Sequence, residues 1–324
     1  MPGVVERLLH SEDPAIRVKT EVLVLGADPY SWDAMVKRHA IASSPRVQAL
    51  LAERDVEGRI PYRPYAKWYG AHWVLAQLAD LGYPPGDESL LPLRDQVYDW
   101  LFSEGHRRGI REINGRVRRC ASQEGNALYY SMALGIADSR TEELAERLMK
   151  WQWHDGGWNC DRRPEATNSS FMETLIPLRG LAWHSRLTGS GKSMQSAVRA
   201  ANVFLKRRLF RRQSDGSLMH PSFVQLHYPC YWHYDILFGL KVLAEAGLIA
   251  DRRCDEALDL LESKQLEDGG FPAEAKYYTV GDSTRSGSSR ADWGTVSKRR
   301  ANEFVTVDAL YVLKSAGRYR PAEG

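Results

Sequence analysis

Apolar residues recur at helical spacing along most of the chain, and polar turns containing Gly divide the pattern into segments. Two kinds of segment alternate. Residues 68–81, 125–136, 171–183, 231–243 and 304–313 are apolar or aromatic on most sides, as helices buried all round are. Residues 47–53, 142–151, 194–209 and 255–264 carry an apolar stripe and a charged face, as helices that cover a core do. Four turns end alike: AERDVEGRIPY (52–62), KWQWHDGGWNC (150–160), RRQSDGSLMHP (211–221) and SKQLEDGGFPA (263–273). In three of them Gln precedes Asp-Gly by one or two residues. Gly closes a helix there because it accepts left-handed backbone.

Inner and outer helices alternating at a period of roughly 45–55 residues predict an all-α fold. The specific expectation is an α/α toroid, a double ring of helices forming a single domain over residues 1–324. A helix near residues 4–10 is expected to close the ring as the last outer partner, beside the inner helix at 301–316. The alternative is an open helical solenoid, because HSEDPAIRVKTEVLVLG (10–26) resembles a HEAT repeat. A solenoid has no need for so many large aromatics on its inner helices.

Composition narrows the class. With 324 residues, 43% of them hydrophobic, the chain has material for a large core, which excludes intrinsic disorder. The net charge is +3, and residues 281–300 alone hold five Lys/Arg against two Asp. That local excess equals the whole, so no nucleic-acid partner is expected. The same stretch is rich in Ser and Arg and reads as a flexible loop or a lid over a cavity mouth. Four cysteines are too few for a disulfide scaffold. No signal-length or membrane-length apolar run is present, so a soluble cytoplasmic protein with reduced thiols is expected.

The repeats WQWHDGGW and QLEDGGF resemble the Gln–Trp repeats of squalene–hopene cyclases and other terpenoid cyclases. CYWHYDILFGLKVLAEAG, followed by the Asp-Gly-Gly-Phe turn and NEFVTVDALYVLKSAG, resembles the last third of protein prenyltransferase β subunits. The resemblance covers most of the chain at the level of repeats and implies the α/α toroid that both families share. It does not carry their chemistry. No two Asp residues are adjacent, so the Asp-x-Asp-Asp acid of class II cyclases and the Asp-Asp-x-x-Asp magnesium box are both missing. Of the prenyltransferase zinc ligands only Cys230 is matched; Tyr228 stands for the Asp and Val305 for the His.

Residues at the starts of inner helices are the candidate site, since that end of a toroid opens on its cavity. Cys120, Cys160 and Cys230 fall at corresponding places in three consecutive repeats. His233 follows Cys230 by three and would share its face on a helix. A zinc ion held by Cys120, Cys160, Cys230 and His233 is therefore expected, against the alternative of ordinary buried thiols. Glu124, Asp161 and Glu173 are the candidate acids or bases, since burial among aromatics would keep a carboxyl protonated. The alternative for each is a salt bridge with Arg118, Arg119, Arg162 or Arg163. Trp68, His72, Trp232, Asp235 and Tyr277 are expected to bind substrate, against a plain core role.

Three functions follow in order. The first is an isoprenoid-type enzyme, cyclase- or prenyltransferase-like, with a small-molecule substrate in the central cavity. The second is a carbohydrate-active hydrolase or lyase using carboxylates in that cavity. The third is a non-catalytic binding toroid. A long, dry aromatic cavity favours the first, paired carboxylates across an open cleft the second, and a filled centre the third.

Overall fold

The computed structural model describes residues 3–320 and is mostly helical. Fourteen α-helices lie among the described residues: α1 (Val4–Leu9), α2 (Pro14–Lys19), α3 (Trp32–Ala42), α4 (Pro45–Leu51), α5 (Ala71–Leu81), α6 (Leu91–Phe102), α7 (Glu104–Arg108), α8 (Ser122–Ala133), α9 (Ser139–Trp151), α10 (Phe171–Thr188), α11 (Gly191–Leu205), α12 (Ile236–Glu245), α13 (Asp255–Glu262) and α14 (Glu303–Ser315). A π-helical turn, Thr20–Leu25, continues α2. Strands are few and short. β1 (Arg111–Ile113) pairs antiparallel with β2 (Arg116–Arg118), and β3 (Thr279–Val280) pairs parallel with β4 (Ser288–Ser289). Among the described residues no helix is long and apolar enough to cross a membrane.

The turns behave as repeats at the level of single hydrogen bonds. Gly58, Gly156, Gly216 and Gly269 all take positive φ. Asp55, Asp155, Asp215 and Asp268 each accept from the amide two residues on. Gln152 donates to the carbonyl of Gly156 and Gln265 to that of Gly269. Trp158 and Phe271, which follow two of these turns, donate their amides to Thr174 of α10 and Thr306 of α14. These two turns are thereby tied to the inner helices that follow them.

The helices pack in two sets. α5 packs on α8, α8 on α10, α10 on α12 and α12 on α14. α14 then packs on α2 and its π-helical turn, and α2 touches α5. Thus α2 fills an inner position, while the helix expected to close the structure, α1, packs on α2 from outside it. α6, α9, α11 and α13 flank α5, α8, α10 and α12. α6 escaped the sequence pattern because Arg94, Asp95, Gln96 and Asp99 break up its apolar stripe.

Part of segment 281–300 is anchored. Trp293, Ala291, Ser288 and Ser289 are buried. The amide of Trp68 donates to Ser288 O, and Arg290 pairs with Glu53 at 2.5 Å. Asn302 donates to the carbonyls of Trp293 and Thr295. Residues 288–293 are thus held in place, while 282–286 and 298–300 are exposed.

Six charged side chains meet in the middle of the inner set. Lys241 (α12) contacts Asp80 (α5) and Asp308 (α14), each at 2.8 Å. Lys19 (α2) lies 3.0 Å from Asp308, and Arg179 (α10) pairs with Asp80 at 3.0 Å and with Glu245 (α12) at 2.7 Å. α8 joins through Tyr129, whose ring lies 3.7 Å beneath the Arg179 guanidinium. Burial alone would raise the Asp80 pKa, but Lys241, Lys19 and Arg179 hold it well below the usual carboxylate range. Three cations face three carboxylates, so the cluster is neutral.

α8 and α10 approach most closely where both lack a side chain. A Cβ at Gly125 would lie 2.6 Å from Pro177, and one at Gly180 would collide with the Gly125 carbonyl oxygen.

Two stability predictions follow from these contacts. Lys241→Met leaves Asp80 and Asp308 under-compensated and should cost about 3–5 kcal/mol in urea denaturation. A loss within experimental error would mean the cluster is not a central element. Gly180→Ala should cost about 1–3 kcal/mol by forcing α8 and α10 apart; an unchanged melting curve would refute the close contact.

Candidate functional site

The Gly125–Gly180 contact decides what meets at the N-terminal ends of α8 and α10. Because the helices touch, Glu173 in the first turn of α10 reaches α8, and its Oε2 accepts the Ser122 amide at 3.0 Å. Its Oε1 accepts the Trp232 indole N–H at 3.1 Å. Cys120 stands just ahead of α8, and the Trp158 anchor leads the chain back to Cys160. The ligand atoms of Cys120, Cys160 and Glu173 all lie within 4.8 Å of one another. Cys160 Sγ is 3.8 Å from Glu173 Oε1.

The electrostatics of this triangle are uneven. Burial raises the pKa of Glu173. The hydrogen bond between the two thiols lowers Cys160 and raises Cys120. Both cysteines are partly accessible and neither is in a disulfide.

A strip of side chains extends from this triangle across the ends of α5 and α12. The Lys67 ammonium lies 5.1 Å from the Trp232 ring and 5.3 Å from that of Trp68. Among the described residues it has no hydrogen bond or ion pair. His233 stacks on Tyr277 at 3.9 Å, and burial pushes its pKa down to about 4, with His227 and Lys67 adding to the effect. Beyond it, His227 Nδ1 lies 2.7 Å from Asp235 Oδ2. Asp235 also caps α12 through the Phe238 amide at 2.8 Å. His227 Nε2 and His233 Nδ1 are buried without hydrogen-bond partners.

The expected four-residue zinc set does not assemble. The one group of three or more possible ligands among the described residues is Cys120, Cys160 and Glu173, with neither Cys230 nor His233. The physical reason is local. α12 begins at Ile236 with Asp235 as its cap, so Cys230 and His233 lie in a turn and share no helix face. Cys230 instead lines a cavity of about 40 Å³ with Gln77, Asp80 and Tyr228, and burial raises its thiol pKa.

The remaining candidates divide between structure and site. Glu124 is held by His106 at 2.9 Å and Arg119 at 3.4 Å. Asp161 pairs with the exposed Arg163 at 2.6 Å; hydrogen bonds from Arg163 pull its pKa down to about 2. An ionised, paired carboxylate of that kind is no proton donor near neutrality. Trp68 is core, stacked on Tyr231 at 4.3 Å with its indole donating to Tyr277 O at 2.9 Å. His72 is fully buried beside Asn126. Trp232 and Tyr277 do border the strip, as does Asp235 through His227. His227 escaped the sequence reading; its signal is Pro229, which turns the chain so that His227 folds back on the helix cap at Asp235.

No protein family, curated protein or solved structure matches this chain.

His72 supplies a pH test. Burial pushes its pKa down to about 3, whereas an unfolded imidazole titrates near 6.5. The unfolded state thus takes up the proton first, so stability is complete above about pH 6.5 and falls with pH toward the folded value. His72→Gln should flatten the stability profile between about pH 6.5 and 4 by up to about 1.4 kcal/mol per pH unit. Parallel profiles for the two proteins, by urea titration, would refute the assignment.

Proposed function

We propose that this protein is a zinc-dependent enzyme of hydrolytic type, acting on a small anionic substrate at the N-terminal face of an α/α toroid. The contacts from α2 through α5, α8, α10, α12 and α14 back to α2 support the toroid, as does the resemblance of the Gly turns to terpenoid cyclase repeats.

One observation carries the chemistry: two thiols and a carboxylate within 4.8 Å of one another. Thiolate with carboxylate suits zinc, and ligand atoms around tetrahedral zinc stand about 3.5–3.8 Å apart. Cys160 and Glu173 already meet that spacing at 3.8 Å. Three protein ligands leave the fourth position for water, the arrangement of catalytic zinc sites. Zinc lowers the pKa of such a water to about 7. Trp232 and the Ser122 amide orient Glu173 from behind. Lys67 offers an unpaired ammonium to an anionic group of the substrate. Thiols that must stay reduced to hold a metal fit a reducing compartment such as the cytoplasm.

A long dry cavity, which would favour the isoprenoid reading, is not what lies beside the charged cluster. The charged cluster occupies the middle of the inner helices, and the cavities on either side measure about 40 and 120 Å³. An isoprenoid chain needs a drug-sized pocket, of about 300 Å³ or more. The paired carboxylates that a glycosidase needs are also absent from the strip, where Glu173 stands with two thiols.

Metal analysis of protein purified under reducing conditions should find about one zinc per chain. Cobalt substitution should give a thiolate-to-metal absorption band. Cys160→Ser and Glu173→Gln should each weaken binding by about 100-fold or more, while Cys230→Ser should leave it unchanged. Metal-free protein that takes up neither ion, or equal loss in Cys230→Ser, would overturn the site.

A further inference from the structure

The opposite end of the inner helices holds a second cavity, of about 120 Å³. Val18, Val22, Ala79 and Trp183 form its apolar walls, and the central charge cluster forms its floor. Within that cluster Lys19, Arg179 and Lys241 are balanced by Asp80, Glu245 and Asp308. Arg38 of α3 lines the same cavity and stands outside this balance. Among the described residues it has no ion pair or hydrogen bond, and its Nε is buried without a partner. Burial works against its charge, and the phenol of Tyr30 is its one titratable neighbour of note. A guanidinium stays charged even so, and Arg38 is half-buried, with its Nε shut off from solvent. The cavity therefore has one positive charge in excess.

We propose that this cavity is a binding site for a small monocarboxylate with an apolar body, whose carboxylate pairs with Arg38. The guanidinium fork matches a carboxylate in bidentate fashion. This cavity is somewhat smaller than the about 150 Å³ that accepts benzene, so the body is limited to a short branched chain or to one ring that also fills the cavity mouth. Inorganic phosphate fits poorly. Its second charge would face Asp80 and Glu245, which line the same cavity. The site lies at the opposite helix ends from Cys120, Cys160 and Glu173 and does not depend on a metal there.

Calorimetric titration of the full chain with benzoate and isovalerate tests this, with benzamide as the neutral counterpart and phosphate as the bare anion. One site per chain is expected for the carboxylates, with benzamide and phosphate about tenfold weaker or worse. Arg38→Met should weaken carboxylate binding by about tenfold or more, whereas Lys192→Met, on the exposed start of α11, should not. The unliganded Arg38→Met protein should melt no lower than the parent, because the charge it loses has no partner; this separates lost binding from lost folding. Benzoate binding that survives Arg38→Met, equal binding of benzamide or phosphate, or no carboxylate binding at all would overturn the proposal.

Discussion

Lys241 is the hinge of the buried architecture. Its ammonium sits between Asp80 and Asp308 at 2.8 Å from each, and those carboxylates in turn engage Lys19 and Arg179. Every inner helix contributes to the cluster or lies against it. Buried charges are tolerated only when each finds an opposite partner. The helices must therefore converge at one depth and one angular order for any of them to bury its charge. The same requirement fills the centre, which drives ligand-sized space to the two ends.

At the N-terminal end, the absence of two side chains does most of the positioning. Gly125 and Gly180 let α8 and α10 touch backbone to backbone, which draws Glu173 onto the start of α8. Two cysteines from flanking segments then complete a triangle that neither helix contains alone. At the other end, the balance of the cluster leaves Arg38 unmatched beside apolar walls. The two ends thus differ in chemistry: soft thiols and a carboxylate at one, an excess cation beside a small cavity with apolar walls at the other.

Much of the scaffold was legible in the chain. Alternating apolar and amphipathic segments marked α5, α8, α10, α12 and α14 against α4, α9, α11 and α13. The Gln and Asp-Gly spacing marked turns whose hydrogen bonds recur in the structure. Such features are local, because a helix stop or an apolar face is specified within a few residues. α2 was harder to place, since a short helix running into a π-helical turn has no full apolar face of its own.

The site was legible only in its parts. The sequence by itself determined which residues carry reactive groups and which of them begin inner segments, and so it named Cys120, Cys160 and Glu173. It could not determine that Glu173 joins the thiols while Cys230 and His233 stand apart. That depended on where α12 starts and on how closely α8 passes α10. The pairing of Lys241 with Asp80, 161 residues away in the chain, and the isolation of Arg38 were equally invisible. Charge compensation is a property of neighbours in space, and only the packing of all the inner helices together decides who those neighbours are.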